Sequence, residues 1–402
     1  MRRMQLGACD TPNGIVTGSR KPNVGIMTHP YFERAGKTPL DNLIVLVKPL
    51  ANRLLVVTGG DYDNPPKGVE IIRVQATRRV SFASRVLEQA SVHVRVLRLL
   101  LQLRGEIDIL IFFTGTPFPA LLVFAQAMRM KCFIILAGVG SSAELKAIKE
   151  RKAPNQLGDT VITHLTTACE RMSYLFSDKL IVYSPSIIDQ LNLHQYDKKI
   201  AITHRHFPNF DLFRFKSDVE QRDNVVGYVG RLSHEKGVLN FVKAIPTILR
   251  AWSNVTFLII GEGPLEGEIR KCVESDATSG KAKLTGWIPH QELPDCLVSM
   301  KLLVLPSYAE GLPNVMLEAM ACGTPVLAPA VGSIPDVITD GETGFFMHDN
   351  SPSCLAETVI KTLENPHLKR IAANARTLVE SEFRLERLAD TWGKIICGAE
   401  DE

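Results

Sequence analysis

The chain has 402 residues, a formal net charge of +3, 45% apolar and 22% charged side chains. That length points to two or three domains, each apolar enough to bury its own core, and the near-balanced charge makes no whole-protein case for nucleic-acid binding. The eight cysteines, at 9, 132, 169, 272, 296, 322, 354 and 397, contain no Cys-x-x-Cys spacing, which argues against a zinc site or a disulfide framework and reads as reduced core thiols in a cytoplasmic protein.

The amino terminus is basic but lacks the apolar stretch of a signal peptide, and residues 1–22 read as a poorly ordered lead. Short runs rich in Val and Ile then predict strands at 24–28, 54–58, 69–74, 108–113, 132–137, 180–183 and 200–203. Such continuous apolar runs suit a parallel sheet covered on both faces. Ile109 to Met128 carries no charge, but Thr114 to Pro119 interrupts it, so a strand, a turn and an apolar helix are expected rather than a membrane span. Residues 78–104 hold six arginines. On a helical wheel Glu88, Ser91, Arg95, Arg98 and Gln102 form a narrow polar strip beside a broad Val/Leu arc. That pattern fits a helix lying on an anionic membrane surface or a buried helix with a basic edge, and membrane contact is the reading adopted.

Residues 208–223 break the rhythm and read as a linker. The alternation resumes with strands at 225–229, 256–260, 283–284, 302–305, 325–328 and 344–347, with helices near 239–251, 265–273 and 314–321. The expected organisation is α/β, with two doubly wound Rossmann-like domains, 23–207 and 224–384, facing across a cleft, and a C-terminal helix over 385–402.

The chemistry concentrates in the second half. Gly230-Arg231-Leu-Ser-His-Glu-Lys236-Gly follows a strand and sets a guanidinium and an ammonium close together, which fits a diphosphate whose charge grows as a bond to it breaks. Pro306 to Glu318 carries Glu310 and Glu318 either side of Gly311-Leu312-Pro313-Asn314. Glu310 belongs to a strand-end loop, and Glu318 lies about one turn into a helix started by Pro313. The loop amides would aim the positive end of that helix at an anion. Gly261-Glu-Gly263-Pro fails the dinucleotide fingerprint, because Glu266 stands where a third glycine is needed. It reads as a tight turn, and Gly286-Trp287-Ile288-Pro289 as a second one offering main-chain groups to a base. Asp61-Tyr62-Asp63 has an Asp-x-Asp form that could hold a divalent ion, but its surroundings are turn composition, so it reads as a turn.

These motifs, in this order and with Gly323-Thr-Pro325, Gly332-Ser-Ile-Pro335 and Gly341-Glu-Thr-Gly344, resemble the family-four retaining glycosyltransferases of the GT-B fold, the glycosyl transferases group 1. The resemblance is dense over roughly residues 205–385. It implies a hexosyltransferase-type enzyme that moves a sugar from a nucleotide-diphosphate donor to an acceptor hydroxyl with retained configuration and no metal or cofactor. It also implies that the C-terminal helix packs back on the first domain. Arg231 and Lys236 would hold the diphosphate, Glu318 the ribose and Glu310 the sugar hydroxyls, with Gly311 to Asn314 lining the sugar and phosphate. Gly230, Gly261, Gly263, Trp287 and Ile288 complete the donor side.

In the first half the resemblance is one of rhythm, with Tyr183-Ser184 and Pro208-Asn209-Phe-Asp211 matching. Two features depart. Gly36 is a single displaced glycine where a pair is usual, and Thr114-Gly115-Thr116 replaces a histidine. The acceptor-side candidates are therefore His29, Gly36, Thr116, Gly138, Gly140 and His164. Surface polysaccharide, lipid-linked glycan or glycolipid synthesis fits, with the enzyme cytoplasmic or peripheral on the inner membrane face. The rival reading is a non-catalytic sugar-nucleotide-binding partner subunit.

Overall fold

The computed structural model describes residues 21–28, 37–59, 62, 65–74, 82–113, 119–136, 158–278 and 280–398. His29, Gly36, Asp61, Asp63, Thr116, Gly138 and Gly140 lie outside them, as does most of the expected lead. The chain divides into two compact units. One runs to Arg205 and takes up the chain again from Leu385, and the other is His206–Arg384.

The first unit is built on a seven-stranded sheet: β1 Asn23–Met27, β2 Arg53–Thr58, β3 Glu70–Arg73, β4 Ile109–Phe112, β5 Lys131–Leu136, β6 Lys179–Val182 and β7 Ile200–Ile202. The order is β3-β2-β1-β4-β5-β6-β7, and every pairing is parallel. Acids just ahead of strands help set the register. Asp108 Oδ2 accepts from the Asn23 amide at 2.7 Å, and Asp178 Oδ2 accepts from the Cys132 amide at 2.7 Å.

The uncharged window after residue 108 splits into β4 and the helix Pro119–Ala127. No described helix is long and apolar enough to cross a membrane. The helix Phe82–Gln102 turns most of its described apolar arc inward: Val92, Val96, Leu99 and Leu100 are buried, while Val94 and Leu101 stay exposed. That arc is buried in the unit, partly against the helix Pro119–Ala127, so only a few described apolar residues of this helix remain available to a lipid surface. The C-terminal helix Leu385–Cys397 belongs to this unit and packs beside the helix Lys37–Val47. Trp392 is fully buried there and donates its Nε1–H to the His204 carbonyl at 3.0 Å.

The second unit holds β8 Val225–Val229, β9 Thr256–Ile260, β10 Ala282–Gly286, β11 Leu302–Val304, β12 Val326–Pro329 and β13 Phe345–Met347, again all parallel, in the order β10-β9-β8-β11-β12-β13. In its core Tyr228 stacks on Phe241, which meets Phe257 edge to face. The 208–223 segment is seated on this unit rather than hanging free. Val219 joins its core, and the Arg222 guanidinium is buried, donating to the carbonyls of Met300, Ser217 and Cys322 and to the Thr324 hydroxyl. Among the described residues six cysteines are free. Cys397 is disulfide-bonded, which corrects the expectation of reduced thiols throughout.

Candidate functional site

Strand order in the second unit places the site. The chain leaves β8 to build β9 and β10 on one side, then crosses to build β11, β12 and β13 on the other. Loops at the carboxyl ends of β8 and β11 therefore meet at a topological switch point, where open α/β sheets bind ligands. The Tyr308 amide donates to the Glu235 carbonyl at 2.9 Å, tying the two loops together.

Lys236 closes a 3-10 turn over His234–Lys236. Its Nζ lies 2.7 Å from Glu310 Oε1, which also accepts the Ser307 hydroxyl at 2.6 Å. The Glu310 side chain is 10% exposed, so the carboxylate is held from two directions in a nearly dry position. Arg231 is exposed, and no described residue hydrogen-bonds to its guanidinium. Beneath it, Tyr228 is buried and donates to the Arg231 carbonyl at 2.7 Å. Burial foremost, with Glu310 and Glu235 nearby, pushes the Tyr228 phenol well above its ordinary value, so it stays a donor. Burial would also raise Glu235, but the Ser233 hydroxyl and the Arg231 and Lys236 charges outweigh it and hold that carboxyl below the usual range. The result is two basic and two acidic side chains at one strand-end edge.

The helix Asn314–Ala321 begins after Pro313 and carries Glu318, 7% exposed, into contact with His290 at 2.8 Å. The hydrogen bond to Glu318 is the main reason the His290 imidazole is raised above its ordinary value. A raised folded-state pKa contributes stability that is present in full below the unfolded value near 6.5 and is lost as pH rises through the folded value. Wild type should therefore exceed His290→Gln in melting temperature by more at pH 6 than at pH 8.5. A difference independent of pH would dissociate the imidazole charge from the pair. Asn314 is hydrogen-bonded to His206 Nδ1. The Gly311 carbonyl accepts from the Ser333 amide at 3.0 Å, while the Gly311 and Leu312 amides donate to no described acceptor.

The turns after β8, β9 and β10 are laced by main-chain bonds: Gly230 to the Ile260 carbonyl, Leu232 to Glu262 and Gly261 to Gly286. Gly261 has φ +139°, and a Cβ there would lie 1.9 Å from the Gly230 carbonyl oxygen, so the close approach of these turns needs glycine. Gly263 is also crowded, since a Cβ there would lie 2.4 Å from the Leu232 carbonyl oxygen. Trp287 is 67% exposed and Ile288 half-buried just beyond β10. On the other side a pocket of about 470 Å³ opens beside the Glu310 loop, lined by Ser307, Tyr308, Val331, Met347, His348 and Asn350.

The structure thus brings Arg231, Lys236 and Glu310 to one edge and joins Gly230, Gly261 and Gly263, whereas no hydrogen bond links Trp287 or Ile288 to the charged cluster. His164 is exposed on the helix Gly158–Phe176. Sequence reasoning missed His290, Tyr228 and the anchoring role of Ser307. Only Ser307, three residues before Glu310, had a local signal. Among the described residues no group of three or more His, Cys, Asp or Glu is placed to hold a metal ion.

Residues 209–378, nearly the whole second unit, match the family model described as glycosyl transferases group 1. The second unit belongs to glycosyl transferases group 1. Arg231, Lys236, Glu310 and Glu318 all fall inside this group 1 domain. It is similar to the 2-deoxystreptamine glucosyltransferase of Streptomyces kanamyceticus, 32% identical over 169 residues, covering 42% of this chain and 42% of that protein. It is also similar to the glycogen synthase of Mycobacterium tuberculosis, 30% identical over 173 residues, covering 43% and 42%. The matched segments span less than half the length of these curated relatives. The whole chain resembles the crystal structure of Anabaena HepE in complex with UDP, with 18% identity, a TM-score of 0.70 and coverage of 94% of this chain and 100% of that one. The sucrose-phosphate synthase of Thermosynechococcus elongatus is similar at 19% identity and a TM-score of 0.72, covering 94% and 99%. At such identities the likeness shows the fold, and that fold is GT-B.

Proposed function

We propose that the protein is a retaining glycosyltransferase that moves a sugar from a nucleoside-diphosphate sugar to an acceptor hydroxyl. The observation that carries this reading is the edge formed by Arg231, Lys236 and Glu310 inside the group 1 domain. The exposed Arg231 guanidinium grips diphosphate oxygens, and the Lys236 ammonium follows the charge as it develops. Glu310, released from part of its pairing with Lys236, accepts hydrogen bonds from the sugar hydroxyls. Glu318, held by His290, accepts from the ribose. The bond between the anomeric carbon and the diphosphate oxygen breaks while the acceptor oxygen bonds to that carbon on the same face. The acceptor proton passes to the departing diphosphate. Because two protein cations neutralise the leaving group, the reaction runs without a divalent metal, and transfer activity should survive excess EDTA. A loss of activity restored by magnesium would refute that point.

The donor reading is tested by a thermal-shift panel of UDP-, GDP- and ADP-sugars on wild type and Arg231→Ala. One nucleotide class should raise the wild-type melting temperature by several degrees, with most of the shift lost in the variant. No shift with any donor sinks the reading. Donor binding with no transfer to any acceptor favours the partner-subunit alternative.

The first unit takes the acceptor. A lipid-linked or surface-glycan acceptor and a peripheral position on the inner membrane face fit a basic patch there, where Arg73, Arg95 and Arg98 line a pocket of about 430 Å³ near the exposed Val94 and Leu101. The measurement is co-sedimentation with vesicles containing phosphatidylglycerol at low salt, against the Arg95→Glu/Arg98→Glu variant. Equal recovery of both proteins would remove the membrane from the reading.

A further inference from the structure

Arg205 follows β7 and is 5% exposed. Its Cζ lies 4.6 Å from the centroid of the Phe113 ring and 4.9 Å from that of Tyr183. Phe113 immediately follows β4 and Tyr183 immediately follows β6, and β5 runs between those strands. The guanidinium therefore lies over the carboxyl edge of the first sheet, above the end of β5. Its Nε and Nη1 are buried and have no hydrogen-bond acceptor among the described residues, and the buried Thr203 hydroxyl on the same strand end is unpartnered too.

This arrangement is expensive unless something completes it. A guanidinium is a five-donor cation, and burying it without an acceptor is among the costliest choices a fold can make. The aromatic faces offset part of that cost through their quadrupoles. They leave the in-plane N–H donors unanswered, because ring faces meet the guanidinium and not the edge that carries the fork. Burial alone lowers its pKa, to about 9, and no described carboxylate counters that shift. Buried unsatisfied donors at the ligand-binding edge of a parallel sheet point to an acceptor that arrives from outside the protein. A fork of parallel N–H groups matches an oxyanion in bidentate fashion.

We infer that Arg205 is an oxyanion-binding residue of the first unit, engaging a phosphate or carboxylate group carried by the acceptor. The acceptor part of this inference rests on the glycosyltransferase reading above, whereas the oxyanion site itself does not. It narrows the acceptor class to an anionic one and supplies an acceptor-side residue that the composition of the preceding loops did not.

The test uses the full chain carrying Arg231→Ala and Lys236→Ala, so that the diphosphate site contributes nothing. Thermal shift is followed against inorganic phosphate and against glucuronate, at ionic strength held constant with chloride. A saturable rise with at least one anion is expected, with apparent affinity at least tenfold weaker once Arg205→Met is added. Response to phosphate alone marks a phosphorylated acceptor, and response to glucuronate alone a carboxylate-bearing one. Without ligand, Arg205→Met should melt no lower than its parent, because it fills the slot while removing a buried unpaired cation. Should that variant fail to fold, Arg205→Lys keeps the charge but loses the fork, and the same tenfold weakening is expected. No saturable rise with either anion, or one that Arg205 substitution leaves unchanged, overturns the inference. Nucleotide-sugar shifts in otherwise wild-type protein are recorded alongside. Their absence would sink the donor reading and leave the oxyanion result standing.

Discussion

Replacing Lys236 by alanine should lower kcat/KM for sugar transfer by about 10²–10³-fold, the scale seen when one fixed electrostatic donor to a developing charge is removed. The structure adds a second consequence. Glu310 Oε1 is shared by Lys236 and Ser307, and the carboxylate is nearly buried. Without Lys236 it keeps only the hydroxyl, and a poorly solvated carboxylate with one partner lost is a source of instability. The expected signature is a lower melting temperature together with the rate loss. Lys236→Ala/Glu310→Gln should recover melting temperature but not rate. Recovery of rate in the double variant would mean that Lys236 acts only by neutralising Glu310, and its role toward the diphosphate would be abandoned. Ser307→Ala should lower stability less, since it removes a neutral donor.

Gly332→Ala is expected to be nearly as damaging although Gly332 carries no functional group. Its φ is +59°, and a Cβ there would lie 1.8 Å from the Glu310 carbonyl oxygen and 3.0 Å from that of Gly311. The neighbouring Ser333 amide holds the Gly311 carbonyl at 3.0 Å. The methyl group must therefore push the Glu310–Gly311 backbone out of position. Displacing a positioning loop by about 1 Å costs on the order of 10²-fold in rate, and the left-handed backbone costs about 1–3 kcal/mol in addition. Gly341 separates the two effects. Its φ is +69°, but a Cβ there meets nothing within 4 Å. Gly341→Ala should lower the melting temperature by backbone strain alone and leave kcat/KM within about twofold. Equal rate losses in the two variants would show that strain, and not the clash with Glu310, is responsible.

Much of this architecture is legible from residue order. All thirteen described strands fall where short, mostly apolar runs predict them, with ends shifted by at most two residues. A parallel strand buried on both faces must be continuously apolar, and that pattern is local. The helix Asn314–Ala321 and its Glu318 are likewise readable from Pro313 and the spacing that follows. The environment of the helix Phe82–Gln102 is not legible in the same way. Its apolar arc is the same whether it faces lipid or a sheet, and only burial of Val92, Val96, Leu99 and Leu100 distinguishes the two.

By itself the sequence determined the alternation of strand and helix, the restart near residue 224, and the identity of the charged groups set at strand ends in the second half. Each depends on neighbours within a few positions, where backbone propensity, periodicity and turn chemistry act. Tertiary structure alone decided the partners. Lys236 meets Glu310 across 74 positions, and His290 meets Glu318 across 28, because strand order brings separate loops to one edge. Arg205 became a buried cation between two rings only when β4, β6 and β7 aligned their carboxyl ends. Burial and long-range pairing are properties of the assembled sheet, and no window along the chain contains both members of such a pair.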